Sequence, residues 1–100
     1  MKKVIYTQRV ELVESYGERR DCADVEIARL IWSCGFLPIP VNNVPGRVQT
    51  FLEQVRPDGM ILTGGNDLSK YGGCAPERDE TEKKIIEYGM ENNIPVYGFC

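Results

Sequence analysis

Short apolar runs alternate with amphipathic stretches along this chain, and this alternation is the basis of the predicted fold. A brief apolar run bounded by turn residues is typical of a buried strand, because a helix of ordinary length would need more residues. The pattern therefore predicts four strands. They lie at residues 3–7 (KVIYT), 36–41 (FLPIPV), 60–65 (MILTGG) and 94–100 (IPVYGFC).

Three amphipathic stretches separate these runs and predict three helices, at residues 21–35, 46–55 and 79–93. Asp21 can cap the start of the first helix and Gly35 its end. Acidic residues begin the third, where the helix dipole favours them. The apolar positions expected to face the core are Val25, Ala28, Leu30, Ile31 and Trp32, then Val48, Phe51, Leu52 and Val55, then Ile85, Ile86 and Met90.

The remaining segments lack a clear period. We interpret residues 8–21 as a loop and residues 66–78 as an unusually long connection, a kind of segment that is often functional. Two prolines in residues 36–41 favour an edge strand. Strands that alternate with helices, without a hairpin signal, predict an α/β fold whose parallel sheet is covered on both faces. Ligands of such sheets bind at the carboxyl ends of the strands.

Composition narrows the classes of function. The chain has 100 residues, with 12 basic and 15 acidic side chains and no basic stripe, which argues against nucleic acid as a partner. No window approaches the ~20 apolar residues that span a bilayer, and we expect a cytoplasmic protein without a membrane partner. Four cysteines without CxxC spacing and the absence of histidine give no support to a metal site or a disulfide framework.

Cys100 is the candidate nucleophile. It follows the fourth predicted strand, where a sharp turn between strand and helix exposes a thiolate near backbone donors. Gly64 and Gly65 end the third strand, and glycines at such a place let backbone amides approach a substrate carbonyl as an oxyanion hole. The alternatives are a buried structural cysteine and a tight turn that only needs positive φ.

Several segments together resemble the γ-glutamyl hydrolase branch of the class I glutamine amidotransferase-like family, a peptidase C26-like group. Gly98-Phe99-Cys100 matches the first three positions of its G-x-C-x-G elbow, and the Gly64-Gly65 pair matches its oxyanion loop. Arg78-Asp79 with Glu82 matches its R-D-x-x-E helix start. Within the branch, the chain most resembles bacterial hydrolases of a nucleotide-linked γ-glutamyl amidate in capsule biosynthesis.

The resemblance implies a three-layer flavodoxin-like sandwich with a mostly parallel central sheet. It also implies that residues 1–100 are the N-terminal half of one domain that ends at the nucleophile elbow, since members carry a catalytic histidine and an acidic partner later in the chain. The implied activity is cleavage of a γ-glutamyl amide through a glutamyl thioester on Cys100. Neither a metal nor an organic cofactor is required.

Recognition of a γ-glutamyl group and a nucleotide requires partners for anions and for a base. The candidates are Arg9, Arg19, Arg20 and Arg78 for anions, Tyr16 for stacking, and Asn66 with Asp67 as pocket residues. Each of them could instead be an ordinary surface or turn residue. Two other functions stay open. One is a glutaminase subunit that delivers ammonia to a synthetase, and the other is a non-catalytic flavodoxin-like binding module.

Overall fold

The computed structural model of the chain describes residues 1–63 and 75–98. Its strands are β1 (Lys3–Tyr6), β2 (Arg9–Val13), β3 (Glu18–Cys22), β4 (Leu37–Pro40), β5 (Gly59–Leu62) and β6 (Val96–Gly98), and its helices are α1 (Val25–Ser33), α2 (Pro45–Val55) and α3 (Pro76–Asn92). Four strands form a parallel sheet in the order β4-β1-β5-β6. The predicted α/β fold with a mostly parallel central sheet is confirmed, and so is the edge position of the proline-containing strand.

Helices cover the two faces of this sheet unequally. Ile5 of β1 and Met60 of β5 are register partners, and they pack with α2 and α3 into the core. Among the described residues, the buried core cluster consists of Ile5, Val41, Val48, Leu52, Met60 and Ile85. On the other face α1 packs near β4, where its Ile31 is buried beside Val4 of β1. The arrangement has three layers, with its main core on the α2 and α3 side.

All three helices begin at residues other than the predicted ones, although α2 is shifted by a single residue, to Pro45. The Oδ1 atom of Asp24 accepts a hydrogen bond from the Glu26 backbone N–H at 2.9 Å, so Asp24 caps α1 and the prediction for Asp21 was wrong. The third helix starts earlier than expected, at Pro76, because a proline at the first helical position loses no hydrogen bond. Residues 76–78 of the predicted long connection are therefore helical, and residues 66–74 lie outside the described part of the chain.

The expected core positions were correct for α2 and only partly correct for the other helices. Val48, Leu52 and Ile85 are buried, but Trp32 is 52% exposed and Met90 is 76% exposed. Since α3 turns Ile85 towards the core, Met90 lies on another side of that helix. The further positions that proved exposed are Val25, Leu30 and Ile86.

Residues 9–22 form an antiparallel hairpin, which corrects the prediction of a loop. Strand β2 pairs with β3 from Arg9 opposite Cys22 to Val13 opposite Glu18, and Gly17 supplies a positive φ of 63° in the turn. Strand β3 carries charged side chains instead of an apolar alternation, and β2 alternates only from Arg9 to Leu12, so the pattern was too short to be recognised as a hairpin. Glu11 lies directly opposite Arg20, an arrangement of opposite charges that stabilises strand pairs.

A largely apolar cleft of about 400 Å³ opens on the α1 face of the sheet. It is lined by Leu30 and Ile31 from α1, by Tyr97 from β6 and by residues that precede the strands, including Lys2 and Asp58. The cleft therefore lies towards the amino ends of the strands. Because ligands of parallel sheets bind at the carboxyl ends, we do not assign the function to this cleft.

Candidate functional site

The carboxyl ends of β1 and β5 are joined by a pair of buried threonines. Thr63 donates its backbone N–H to Thr7 Oγ1 at 2.8 Å, and Thr63 Oγ1 donates to the Thr7 carbonyl at 2.8 Å. The Thr7 backbone N–H also bonds to the Ile61 carbonyl at 3.0 Å, so strand-like pairing continues past the end of β1. These bonds fix the two strand ends relative to each other. Neither threonine belongs to a motif recognised in the sequence, although Thr7 ends the first predicted strand and Thr63 lies within the third.

An arginine and a glutamate from α3 complete this arrangement. Arg78 Nη2 donates to the Thr63 carbonyl, and Arg78 Nη1 lies 3.0 Å from Glu82 Oε1. Thr7 Oγ1 donates to Glu82 Oε2 at 3.3 Å. The side chains of Arg78 and Glu82 are only 5% and 17% exposed. We call Thr7, Thr63, Arg78 and Glu82 the strand-end cluster, because together they connect α3 to the ends of β1 and β5.

The cluster contains one positive charge, on Arg78, and one negative charge, on Glu82, in a region with little solvent. Burial raises the pKa of Glu82 above its ordinary value, while the Arg78 charge and the Thr7 hydrogen bond act in the opposite direction. A carboxyl group that is desolvated in this way depends on its cationic partner to stay ionised. Arg78 therefore balances the charge of Glu82 while its other Nη group holds the β5 backbone.

A second ion pair connects the hairpin to the start of α3. Arg19 Nε and Nη2 donate to the two carboxylate oxygens of Glu77 at 2.5 and 2.8 Å. This contact lowers the pKa of Glu77, mainly through the hydrogen bond from Arg19. The Arg19 side chain is 40% exposed and that of Glu77 23%. The hairpin thus reaches α3 close to the end of β5.

The base of the hairpin is anchored by Asn43, which follows β4. Its side-chain Nδ2 donates to the Gln8 carbonyl and to Asp21 Oδ1, each at 2.9 Å. Its backbone N–H donates to Asp21 Oδ2 at 3.2 Å. Gln8 in turn donates to the Val41 carbonyl at 3.0 Å. These bonds hold the hairpin beside the carboxyl ends of β1 and β4.

The predicted substrate residues that the structure describes occupy two different environments. Arg78 is buried in the strand-end cluster, while the three hairpin arginines are more exposed. Tyr16, in the hairpin turn, is 76% exposed. Each of these arginines has a carboxylate partner: Arg9 with Glu11 at 3.1 Å, Arg20 with Glu18 at 2.7 Å, Arg19 with Glu77 and Arg78 with Glu82. Their contact with a substrate stays a prediction.

The predicted catalytic residues lie outside the described part of the chain. They are Cys100, Gly64 and Gly65, and the predicted pocket residues Asn66 and Asp67 lie outside it as well. The described ends of the two neighbouring strands are nevertheless informative. Leu62 of β5 is the register partner of Gly98 of β6, so the points two residues before Gly64 and two residues before Cys100 are adjacent in the sheet.

Residues 1–63 and 75–98 contain no group of three or more His, Cys, Asp or Glu side chains placed to hold a metal ion. Within the same residues, no helix has the length and apolar character needed to cross a bilayer.

Residues 5–100 match the peptidase C26 family. Since this match covers nearly the whole sequence, the chain belongs to that family, which is class I glutamine amidotransferase-like. The family assignment from the elbow and the glycine pair is thereby confirmed.

Two characterised relatives are similar over part of their own lengths. The chain is 32% identical over 99 residues to the γ-glutamyl-CDP-amidate hydrolase of Campylobacter jejuni subsp. jejuni serotype O:2, a match that covers 94% of this chain and 48% of the relative. It is 31% identical over 74 residues to a glutamine-hydrolysing GMP synthase subunit of Thermococcus kodakarensis, a match that covers 70% of this chain and 34% of that relative. The chain therefore spans about half the length of the first relative and a third of the second.

Proposed function

We propose that this chain contributes the nucleophile and oxyanion hole of a cysteine-dependent hydrolase that cleaves a γ-glutamyl amide. The main support is the register of β5 and β6, in which Leu62 pairs with Gly98. This pairing brings together the strands that lead to Gly64-Gly65 and to Cys100. A nucleophile and its oxyanion donors must act on the same carbonyl, and adjacent strands are an arrangement that suits this requirement. Membership of the peptidase C26 family supports the same class of reaction.

The proposed reaction has two steps. The Cys100 thiolate attacks the γ-carbonyl carbon and forms a C–S bond, while the backbone N–H of Gly65 and that of the residue after Cys100 stabilise the oxyanion. The C–N bond then breaks, and the leaving nitrogen takes a proton from a general acid. The conjugate base of that acid takes a proton from water as the water adds to the resulting thioester, and the C–S bond then breaks to release glutamate and restore the Cys100 thiolate. The sequence contains no histidine, so we place the acid–base partner outside residues 1–100.

The proposed substrate is a small γ-glutamyl amide with a nucleotide-linked leaving group, such as γ-glutamyl-CDP-amidate. The 32% identity to a hydrolase of that compound supports this assignment. On this proposal, the hairpin arginines Arg9, Arg19 and Arg20 and the exposed Tyr16 are available to a nucleotide, with Asn66 at the glutamyl end. A phosphate would compete with the carboxylates that pair with these arginines, and such competition is possible where the ion pairs are solvated.

The test measures glutamate release by the purified full-length protein from γ-glutamyl-CDP-amidate, from γ-glutamyl-p-nitroanilide and from L-glutamine. We expect release without any partner protein and fastest with the nucleotide-linked substrate. Cys100→Ala should abolish it, and Cys100→Ser should strongly reduce it. Cys34→Ala is the matched control, since Cys34 is a free, exposed cysteine at the end of α1, and it should retain activity. Hydrolysis that survives Cys100→Ala would refute the proposal.

The same assay separates the two alternatives. The first alternative is a glutaminase that passes ammonia to a synthetase, and the similarity to a GMP synthase subunit is the observation that supports it. In that case glutamine would be the preferred substrate, and its hydrolysis would depend on the partner. For a non-catalytic binding module, none of the three substrates would be turned over, and Cys100→Ala would leave the function intact.

We also propose that residues 1–100 are the N-terminal half of a single domain. The intact mass of the protein isolated from its source tests this directly. A mass near 11.3 kDa would contradict the proposal, whereas about twice that value would agree with it.

A further inference from the structure

We infer that Arg78 is a positioning residue for the oxyanion hole, an inference that rests on the function proposed above. Arg78 makes a hydrogen bond at the end of β5 that supports this role. Arg78 Nη2 donates to the carbonyl of Thr63, the residue that immediately precedes Gly64. Arg78 is itself only 4% exposed, so this hydrogen bond is made away from solvent.

The Thr63 carbonyl has a direct effect on the chain that follows it. A peptide group is planar, so the direction of a carbonyl also fixes the direction in which the next residue begins. Three hydrogen bonds control Thr63: its N–H and hydroxyl bond to Thr7, and its carbonyl accepts from Arg78. Every backbone polar group of Thr63 is therefore paired. The chain leaves β5 from a fixed starting geometry.

A glycine pair makes such a fixed start necessary. Glycine has access to more backbone conformations than any other residue, and this freedom lets an N–H approach a substrate closely but does not aim it. An oxyanion donor is effective only when it is already aimed at the position of the developing charge. We assign that aiming to the contact between Arg78 and Thr63, because Thr63 directly precedes the glycine pair and its carbonyl shares a planar peptide group with the Gly64 nitrogen.

Glu82 holds the guanidinium group of Arg78 in a fixed orientation. Arg78 Nη1 contacts Glu82 Oε1 at 3.0 Å while Nη2 holds the carbonyl, so the two ends of the planar group are engaged at once. Glu82 also accepts from Thr7 on the neighbouring strand. A lysine could replace the charge but not this planar two-ended contact. The proposed role therefore depends on arginine in particular.

The first test separates positioning from general stability. In the full-length protein, Arg78→Lys should lower kcat for γ-glutamyl-p-nitroanilide by about 10- to 100-fold, which approaches the effect of removing one oxyanion donor. KM should stay within about threefold, since substrate binding does not use the oxyanion. Alkylation of Cys100 by iodoacetamide needs no oxyanion donor, so its rate should stay within about twofold of the unchanged protein.

Two further variants keep the test decisive. Arg78→Met combined with Glu82→Leu removes the buried charges together and avoids an unpaired carboxylate, so it should fold and show the same loss of kcat. Arg29→Met removes an exposed arginine that pairs with Glu26 at 2.6 Å on α1, and it should retain full activity. This control measures the cost of losing an ion pair far from the strand ends.

The possible results discriminate between the two proposals. Unchanged kcat in Arg78→Lys and in the double variant overturns the positioning role, and so does a parallel fall of kcat and alkylation rate, because that fall indicates a distorted fold. In either case, turnover that is lost in Cys100→Ala leaves the proposed function standing. No turnover by the unchanged protein, or turnover that survives Cys100→Ala, overturns the two together.

Discussion

Consecutive residues at the start of α3 form ion pairs of very different character. Glu77 turns outward to the bidentate Arg19 of the hairpin, whereas Arg78 turns inward to Glu82 and the end of β5. The outer pair has side-chain exposures of 40% and 23%, and the inner pair has 5% and 17%. An arginine–glutamate pair thus occurs once in a solvated environment and once in a buried one. We expect burial, more than hydrogen-bond geometry, to decide on which pair the fold depends.

The reason is the cost of desolvation. When a solvated ion pair forms, contacts with water are replaced by contacts between the two charges, so the net gain in stability is small. In a buried pair each charge has lost water and depends on its partner, so removing one partner is expensive even though the intact pair adds little net stability. The pKa directions agree with this difference. Burial is the largest influence on Glu82 and raises its pKa, while the Arg19 hydrogen bond is the largest on Glu77 and lowers its pKa.

The largest expected effect follows from breaking the inner pair alone. Arg78→Met leaves the Glu82 carboxylate and the Thr63 carbonyl without their partner, and it should lower the free energy of unfolding by about 3–5 kcal/mol. Urea unfolding of the full-length protein measures this value. Adding Glu82→Leu should recover most of the loss. If the single variant lost less than about 1 kcal/mol, the value expected for a solvated pair, the inner pair would be energetically equivalent to the outer one.

A smaller effect is expected from the threonine that connects the strand ends. Thr7→Val keeps the shape of the side chain but removes the hydroxyl that accepts from the Thr63 N–H and donates to Glu82. A buried N–H then lacks its partner, so unfolding should become easier by about 1–3 kcal/mol. Thr7→Ser retains the hydroxyl and is the control. Equal losses in the two variants would assign the effect to packing instead of hydrogen bonding.

The sequence was sufficient to predict much of this architecture and less of the cluster. Apolar runs predicted the parallel strands, and helical spacing predicted Val48, Leu52 and Ile85 as core residues. These predictions worked because burial on a regular element leaves a periodic signal. The hairpin was missed since β3 has no apolar alternation and since Asn43 anchors the hairpin from a distant loop, a contact that produces no period.

For the candidate site, too, local features could be predicted from the sequence and long-range contacts could not. Arg78 and Glu82 were recognised as a motif, because their spacing is local to one helix. Their contacts to Thr63 and Thr7 span 15 and 75 residues in sequence, so spacing could not indicate them. The sequence therefore suggested Arg78 as a ligand of the substrate, while the structure places it against the β5 backbone. Roles that depend on long-range contacts require the fold.

The outer pair should contribute little to stability. Arg19→Met should lower the free energy of unfolding by about 0.2–1 kcal/mol, because its side chain and that of Glu77 retain contact with water. The loss should shrink at 1 M salt, where the Debye length is about 3 Å. Thermal unfolding at low and high salt measures both values. A loss as large as that of Arg78→Met would mean that the hairpin is required for the stability of the whole fold.

The smallest expected effect is a pH dependence whose sign differs between the two glutamates. The pKa of Glu77 is lowered from its ordinary 4.5, so its contribution to stability is present above pH 4.5 and is lost as the pH falls through the lowered value. The pKa of Glu82 is raised from 4.5, so its contribution is present below pH 4.5 and is lost as the pH rises through the raised value. Unfolding free energies of Glu77→Gln and Glu82→Gln, each compared with the unchanged protein between pH 3 and 8, should therefore diverge in opposite directions. Curves that run in the same direction would show that burial does not distinguish the inner pair from the outer one.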